Sequence, residues 1–261
     1  MHLKSLEAQV GDIAKETGTF IRTEPLNFDK GLVELKGKSD LVSYVDKGAE
    51  ERIVAGLKDL IPQAGFLTEE STVEQKRAEY TWIIDPLDGT TNFVHGMPSF
   101  AVSIGLEHDG EMVLGVIYEV THDELFTASK GEGAFLNGSK ISVSAASRID
   151  ESLFATGFPI YNFEKIDEYL SILNQLMKNS HGLRRLGSAA TDLAYVACGR
   201  CEGFFEYNLN PWDVAAGIIL VQEAGGTVTD FAGGNNFLEG RELIAAGNVH
   251  ADLLEVVKKF W

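Results

Sequence analysis

The stretch that most constrains this chain is residues 82–93, Trp-Ile-Ile-Asp-Pro-Leu-Asp-Gly-Thr-Thr-Asn-Phe. Its first three residues form an uninterrupted apolar run, which predicts a buried strand. Proline has no N–H to give to a sheet, so Pro86 predicts that this strand stops at Asp85. Gly89 then provides a turn. The stretch therefore delivers Asp85 and Asp88, two carboxylates three positions apart, to the end of a buried strand.

Asp85 and Asp88 have two interpretations. Two carboxylates held close together repel and raise each other's pKa unless a cation lies between them, and hard oxygen ligands select magnesium, manganese or calcium. Alternatively, Asp-Pro-x-Asp-Gly is a surface turn, because Asp, Pro and Gly are the common turn residues. Residues 85–89 taken alone do not decide between a metal site and a turn.

Two other stretches bear on that choice. Glu-Glu-Ser stands upstream at residues 69–71, and Asn-Pro-Trp-Asp-Val-Ala-Ala-Gly lies far downstream at residues 210–217. With them, the chain resembles the inositol monophosphatase family of metal-dependent sugar phosphatases over essentially its whole length. The two signatures of that family look like residues 82–93 and 212–217, and the acidic pair upstream looks like their usual companion.

The apolar patterns predict an α/β (α+β) chain with two approximate halves. In residues 1–148, two helical patterns are followed by closely spaced β-type runs, which predict an antiparallel sheet with a tight hairpin at Asn137-Gly138. Residues 149–261 alternate strand and helix patterns, which indicates a smaller α/β half. Because no linker separates the halves, we predict one unit over residues 1–261. The resemblance implies a layered α/β/α/β/α sugar-phosphatase fold.

Helical spacing locates several elements more closely. Apolar residues recur every three or four positions over residues 3–13 and 49–61, and a polar turn is predicted between them at residues 36–40. A third stripe consists of Ile166, Leu170, Leu173, Leu176 and Met177. Each of these stripes predicts the buried face of a helix.

Composition limits the partners and the compartment. The 22 Lys and Arg against 39 Asp and Glu give a net charge of −17, which argues against nucleic acid or an anionic membrane as a partner. Bound divalent cations would reverse this field locally and allow a phosphate to bind. No apolar run approaches the ~20 residues of a membrane span, and no signal-type core follows the N-terminus, so we expect a cytoplasmic protein. Cys198 and Cys201 follow a helical run instead of preceding one, so we expect ordinary reduced thiols.

The resemblance assigns a role to each residue that matches the family's motifs. It implies two or three Mg²⁺ ions per subunit, or Mn²⁺ in their place, held by Glu69, Asp85, the backbone carbonyl of Leu87, Asp88 and Asp213. It implies that the catalytic residues, two of which orient the attacking water, are Asp46 and Thr90 together with Glu69. It implies that the substrate contacts are Asp88, Gly89, Thr90, Ala189, Glu206 and Asp213.

Several of these residues also have a structural interpretation. Asp46 could be a solvated residue in the first turn of a helix, Asp213 an N-terminal cap or first-turn acid, and Glu206 a charge at a sheet edge. Arg184 and Arg185 could contact a second anionic group or a partner subunit. A solvated turn is the commoner place for such arginines, so they are left outside the predicted site.

The predicted function follows from the resemblance and the ligand chemistry. It is Mg²⁺-dependent hydrolysis of a phosphate monoester, with a small phosphorylated polyol or sugar as substrate and myo-inositol 1-phosphate as the first choice. Fructose 1,6-bisphosphate and 3′-phosphoadenosine 5′-phosphate are the alternatives within this class. A different class is a non-catalytic metal-binding or regulatory protein with the same fold. The resemblance also implies a homodimer and inhibition by Li⁺.

Overall fold

The chain folds into five layers, in which three layers of helices alternate with the two larger of the three sheets that the described residues form. The computed structural model describes residues 2–24, 34–35, 41–42, 44–159 and 162–261. The polar turn predicted at residues 36–40 lies outside them. The predicted layered α/β/α/β/α fold is confirmed. Among the described residues, no helix combines the length and the apolar character needed to cross a membrane.

The described residues form seven α-helices and fourteen strands. The helices are α1 (Leu3–Thr23), α2 (Tyr44–Leu60), α3 (Thr90–His95), α4 (Ile166–Asn179), α5 (Ala189–Ala197), α6 (Pro211–Glu223) and α7 (His250–Phe260). The first nine strands are β1 (Glu34–Leu35), β2 (Leu41–Val42), β3 (Gly65–Thr68), β4 (Tyr80–Asp88), β5 (Ala101–His108), β6 (Glu111–Glu119), β7 (Glu124–Ser129), β8 (Gly133–Leu136) and β9 (Ser139–Ile141). The last five are β10 (Leu153–Thr156), β11 (Gly182–Arg184), β12 (Gly203–Tyr207), β13 (Thr227–Thr229) and β14 (Glu242–Ala246).

The larger sheet contains seven strands in the order β3-β4-β5-β6-β7-β8-β9. It is antiparallel as predicted, except that β3 runs parallel to β4. Asn137 and Gly138 form the predicted hairpin between β8 and β9, and both have positive φ (47° and 79°), which suits a two-residue loop that follows the twist of the strands. The apolar stripes of α1 and α2 cover one face of this sheet and bury its largest side chain, Trp82.

The prediction that the central strand stops at Asp85 is wrong. β4 continues to Asp88, but its register with β5 shifts, so that Asp85 pairs with Ser103 and Asp88 with Ala101. Three steps along β4 therefore correspond to two along β5, and the extra residue forms a bulge that accommodates Pro86. Side chains three positions apart in a regular strand point to opposite faces. The bulge removes this alternation, and both aspartates border the same cavity.

The second sheet has five strands in the order β11-β10-β12-β14-β13. α5 and α6 lie between the two sheets, and α6 is buried along the whole run 214–221. A helix that is apolar on all sides is stable only when other elements cover all of its sides. α6 meets this condition because it is packed between the two larger sheets. Its N-terminus points out of this apolar layer toward the ends of β4 and β12.

The outer layer formed by α4 and α7 corrects one prediction. Leu170 and Met177 were expected in the buried stripe of α4, but they are 50% and 59% exposed. Leu173 and Leu176 of the predicted stripe are buried as expected, and they share the buried face with Tyr169 and Ile172. Tyr169 fits inside because its hydroxyl lies 3.1 Å from the carbonyl oxygen of Phe205, which gives the buried O–H a partner.

Candidate active site

One cavity of about 430 Å³ lies between the two sheets, at the ends of β3, β4 and β12 and at the N-termini of α3, α5 and α6. All of the predicted site residues except Asp46 line it. They are Glu69, Asp85, Leu87, Asp88, Gly89, Thr90, Ala189, Glu206 and Asp213. The fold therefore brings together residues up to 144 positions apart, from Glu69 to Asp213. Their chemical roles stay predictions.

Asp85 is buried, with 2% of its surface exposed. Its Oδ1 accepts a hydrogen bond of 2.9 Å from the backbone N–H of Leu87, which fixes the carboxylate inside the bulge. Burial raises the pKa of Asp85 well above its ordinary value, and the nearby charges of Glu69, Asp88 and Asp213 raise it further. The pKa of Asp85 is thus raised by the charges of all three of the other acids.

Asp88 is held by the start of α5. Its Oδ2 accepts hydrogen bonds from the hydroxyl of Ser188 (2.7 Å) and from the backbone N–H of Ala190 (2.6 Å). Loss of water raises the pKa of Asp88 to about 6, although these two hydrogen bonds and the positive charge of Arg185 act in the opposite direction. A carboxylate at a helix N-terminus is favoured by the helix dipole. The start of α5 therefore stabilises the charged form of an acid that burial disfavours.

Asp213 lies in the first turn of α6, three residues after Asn210, which is the N-cap. Its Oδ2 accepts a hydrogen bond of 2.7 Å from the backbone N–H of Asn210, so the capping interpretation is correct in part. Burial first, and then the charges of Asp88, Glu69 and Glu206, raise the pKa of Asp213 well above its ordinary value. A carboxylate has two oxygens, so Oδ2 of Asp213 can cap the helix while Oδ1 stays available to bind a group in the cavity.

Glu206 lies on β12, which is flanked by β10 and β14, so the interpretation as a sheet-edge charge is wrong. Burial and the charge of Asp88 raise the pKa of Glu206 to about 8, and Arg185 opposes that shift. The backbone of Gly157 lies directly against this carboxylate, because a Cβ at residue 157 would come within 2.0 Å of both oxygens. Gly157 thus makes room for Glu206 to face the cavity.

Asp46 lies behind the cavity wall, in the first turn of α2, and is only 1% exposed. The interpretation as a solvated residue is therefore wrong. The Thr90 hydroxyl lies 2.9 Å from Oδ1 of Asp46 and 3.0 Å from the carbonyl oxygen of Leu87. A hydroxyl has one hydrogen and can donate it to one acceptor at a time, so its oxygen can still accept a hydrogen bond from the cavity side.

Gly89 sets the sharp turn between β4 and α3. Its φ is 95°, and a Cβ there would come within 2.9 Å of the carbonyl oxygen of Ser99, so a side chain is excluded both by backbone conformation and by space. The first residues of α3 follow at once. The backbone N–H of Gly89 donates a hydrogen bond to the Asp88 carboxylate, so this turn also helps to fix Asp88.

Sequence reasoning missed three charged residues of the cavity wall, which are Arg185, Asp192 and Arg241. Arg185 was left outside the site, but its charge lowers the pKa of Asp88 and of Glu206. Asp192 is 1% exposed, and burial and Glu206 raise its pKa well above the ordinary value. Arg184 is exposed on β11 and is not part of the wall. Within residues 184–192 only the fold distinguishes the wall residues from their neighbours.

Donor type and charge in the cavity fit a hard divalent cation. Carboxylates that raise one another's pKa are the surroundings that such an ion would neutralise, and the oxygen donors at the ends of β3 and β4 and at the start of α6 are those that Mg²⁺ and Mn²⁺ prefer. In the part of the chain that the structure describes, no three His, Cys, Asp or Glu side chains are placed so that they could hold a metal ion together. The acids therefore influence one another through their charges. To bind an ion together, their side chains would have to change conformation.

Comparison with known proteins identifies the family. The model of the inositol monophosphatase family matches residues 3–260. An inositol-1-monophosphatase of Mesorhizobium japonicum is 46% identical over 229 residues, which cover 87% of this chain and 86% of the relative. The Nus factor SuhB of Escherichia coli K12 is 43% identical over 246 residues, which cover 94% of this chain and 90% of the relative.

The fold agrees with that match. The structure of an inositol monophosphatase from Anabaena (Nostoc) superposes with a TM-score of 0.89 at 36% identity and covers 100% of this chain and 98% of that chain. Sequence similarity and structural similarity both extend over nearly the whole molecule, including every element that lines the cavity. The chain therefore belongs to the inositol monophosphatase family and is an enzyme of the inositol monophosphatase type.

Proposed function

We propose that this enzyme hydrolyses myo-inositol 1-phosphate to myo-inositol and phosphate in a reaction that depends on Mg²⁺. The observation that carries the proposal is the mutual coupling of Asp85 with Glu69, Asp88 and Asp213 inside one cavity, because a buried group of acids needs positive charge to bind a phosphate. The relative named inositol-1-monophosphatase supports the choice of substrate.

The metal would be held by Glu69, Asp85, the carbonyl oxygen of Leu87, Asp88 and Asp213. Two or three Mg²⁺ ions, or Mn²⁺, would neutralise the phosphate oxygens, lower the pKa of water and stabilise the leaving alkoxide. The family as a whole is metal-dependent, which agrees with this donor set. Asp85 would be the central member of this donor set, because the charges of all three of the other acids raise its pKa.

The chain's own groups would position the reactants. Thr90 and Asp46 form a hydrogen-bonded pair at the cavity wall, and the Thr90 oxygen would accept a hydrogen bond from the attacking water and orient it. The backbone N–H groups of Gly89 and Thr90, together with the N-terminus of the thirteen-residue α6, would orient the phosphate. No covalent phosphoenzyme is needed for this route.

The polyol ring would lie toward β12 and the start of α5. Glu206 would accept hydrogen bonds from ring hydroxyls, and Ala189 is small enough to leave the ring space beside Asp88 and Asp213. A cavity of about 430 Å³ falls within the usual size of small-molecule sites. Fructose 1,6-bisphosphate and 3′-phosphoadenosine 5′-phosphate remain the competing substrates of this class.

A substrate panel tests the proposal. Purified enzyme should release phosphate from inositol monophosphates with a higher kcat/KM than from fructose 1,6-bisphosphate or the nucleotide, and EDTA should abolish release. Asp88→Asn should remain folded and lose the activity. A preference for the nucleotide would replace the proposed substrate, and no release from any monoester at saturating Mg²⁺ would reject the phosphatase function.

A second candidate is a regulatory binding role, because several relatives at 42–43% identity are named Nus factor SuhB and not phosphatase. Such a role would not require turnover. It can be separated from catalysis in an Escherichia coli strain that lacks its SuhB. Rescue of growth by both wild type and Asp88→Asn would support the binding role, whereas rescue by wild type alone would tie the phenotype to hydrolysis.

We further propose that the enzyme is a cytoplasmic homodimer that Li⁺ inhibits, as the family resemblance implies. Sedimentation equilibrium at micromolar protein would test the dimer, with a single species near 57 kDa, twice 28.5 kDa, as the expected result. A species of 28.5 kDa would contradict it.

A further inference from the structure

A buried glutamate on α2 holds the segment that carries Glu69. Glu50 is fully buried, with 0% of its surface exposed. Its Oε1 accepts hydrogen bonds from the Thr68 hydroxyl (2.9 Å), the Thr72 backbone N–H (2.7 Å) and the Thr72 hydroxyl (2.7 Å), and its Oε2 accepts one from the Glu70 backbone N–H (2.7 Å). Four donors from residues 68–72 thus surround one carboxylate.

These contacts leave Glu69 at the centre of a braced loop. Residues on both sides of it, Thr68 and Glu70, donate to the same carboxylate. Gln75 adds a second brace, because its Oε1 accepts a 2.7 Å hydrogen bond from the Thr68 backbone N–H. A carboxylate removed from water is costly unless donors replace the water, and among the described residues all the donors to Glu50 belong to this one loop. If the loop 68–72 changed conformation, the buried Glu50 carboxylate would lose its hydrogen bonds, so Glu50 favours this one conformation of the loop.

The same face of α2 reaches the other side of the cavity. Asp46 lies one turn before Glu50, at i and i+4, so both side chains project from one face of the helix. Asp46 contacts Thr90 at the start of α3, while Glu50 contacts the loop after β3. α2 thus connects the segment of Thr90 with the segment of Glu69, although neither Asp46 nor Glu50 lines the cavity.

We propose that Glu50 is a positioning residue that sets the loop 68–72 so that Glu69 presents its carboxylate to a divalent cation beside Asp85. The inference rests on the proposed function, in which Glu69 is a metal ligand. Glu50 does not touch the metal or the substrate. It acts through the backbone on both sides of Glu69, so its loss should weaken metal binding while leaving the chemistry intact once metal is bound.

Glu50→Gln is the direct test. The amide keeps the shape but replaces one acceptor oxygen with an NH₂ donor, which would face N–H or O–H donors of the loop. Loss of partners that orient a metal ligand typically weakens metal affinity by about 10- to 100-fold. We expect that increase in the Kd for Mn²⁺ by calorimetry and in the Mg²⁺ concentration for half-maximal activity. At saturating Mg²⁺, kcat and the substrate KM should return to within about threefold of wild type.

The chain offers a matched control in Glu7. It is also a buried glutamate (4% exposed) on a helix. Its carboxylate accepts hydrogen bonds from the hydroxyls of Thr127 and Ser129 and from the Lys4 ammonium, and none of these residues lines the cavity. Glu7→Gln should lower Tm but leave the Kd for Mn²⁺ within about twofold of wild type, because Glu7 braces no metal ligand. A merely structural role for Glu50 would make the two variants behave alike.

Thr72→Val covers the case in which Glu50→Gln does not fold. Thr72 is exposed, and the change removes only one of the four hydrogen bonds. It should raise the Kd for Mn²⁺ in the same direction by a smaller factor. Unchanged metal binding in the folded Glu50→Gln variant, or in Thr72→Val if that is the one that folds, overturns the inference alone. A wild-type protein that binds no Mn²⁺ or Mg²⁺ and hydrolyses no monoester overturns the proposed function, and this inference with it.

Discussion

The contact between Gly157 and Glu206 gives the sharpest test of how the cavity recognises its substrate. In Gly157→Ala, the new Cβ would lie 2.0 Å from both oxygens of Glu206, whereas ordinary contact begins at 3.4 Å. The carboxylate would have to retreat by about 1.4 Å, the difference between these distances. Because it is the end of a flexible side chain, the movement should cost little stability.

The cost should fall on substrate binding instead. A misplacement of about 1 Å in a site can cost about 100-fold in rate, so we expect kcat/KM for myo-inositol 1-phosphate to fall about 100-fold. This corresponds to about 2.7 kcal/mol of transition-state stabilisation. Phenyl phosphate has no ring hydroxyls for Glu206 to bind, so its kcat/KM should change by less than about threefold.

A double-mutant cycle identifies the cause. If Gly157→Ala acts by displacing Glu206, the change should have no further effect in a Glu206→Ala background, where the clash is absent. Steady-state phosphate release from both substrates by the four proteins provides the measurement. Equal loss with phenyl phosphate would refute the substrate role assigned to Glu206. Additive losses in the double variant would show that Gly157→Ala does not act by displacing Glu206.

Four other predictions follow from the same geometry. Asp88→Asn or Asp213→Asn should lower Mg²⁺-dependent turnover more than ~100-fold. The Tm measured in EDTA should rise, because each change removes one carboxylate that repels Asp85. Retained turnover in either variant would show that the substituted residue is not part of the metal centre. In EDTA, the Tm of wild type should fall as the pH rises from 4.5, the ordinary pKa of a glutamate, to about 8. Over this range the folded protein holds a proton on Glu206 that the unfolded chain has lost. Glu206→Gln should reduce the slope of Tm against pH, although Asp85, Asp192 and Asp213 still contribute to it, and an unchanged slope would contradict the raised pKa of Glu206. Li⁺ at about tens of millimolar, a range chosen for a weakly held hard ion, should inhibit phosphate release, and constant turnover there would count against the proposed metal positions. Replacing Cys198 and Cys201 by Ser should leave activity unchanged, and the Cys201 thiol should react slowly with iodoacetamide at pH 8 because burial raises its pKa to about 12; rapid labelling would contradict the buried, inert role.

The fold was predictable because its strongest signals are local. A few neighbouring residues are enough to predict the buried strand before Asp85 and the buried faces of α1 and α2. The dipeptide Asn137-Gly138 is likewise enough to predict a turn. The exact end of β4 was not, because a bulge depends on how β5 continues beside it. The face of α4 was also ambiguous, since Tyr169 and Leu170 offer two apolar stripes and only the partners of the Tyr169 hydroxyl select one.

Only the site residues that belong to the family motifs could be predicted from the sequence. Asp85, Asp88 and Asp213 lie in the two signatures, and the resemblance supplied their common role. Arg185 lies outside those motifs, and its place on the wall results from the path of the chain between β11 and α5.

Glu50 and Gly157 were missed for a related reason. Glu50 reads as an ordinary polar residue of a helix, and Gly157 as an ordinary loop glycine. Their importance comes from contacts with residues 68–72 and with Glu206, which lie 18 to 49 positions away in the sequence. Such a contact leaves no local pattern, so the three-dimensional structure is needed to find it.

The central claim is that acids from distant parts of the chain hold divalent cations together in one cavity. A crystal structure of the enzyme soaked with Mn²⁺ and inorganic phosphate tests it most directly, because manganese is identified by its anomalous scattering. The account predicts anomalous peaks bounded by Glu69, Asp85, Asp88 and Asp213, with the phosphate between them and the start of α6. Peaks only elsewhere on the protein, or phosphate bound in the cavity without metal, would contradict it.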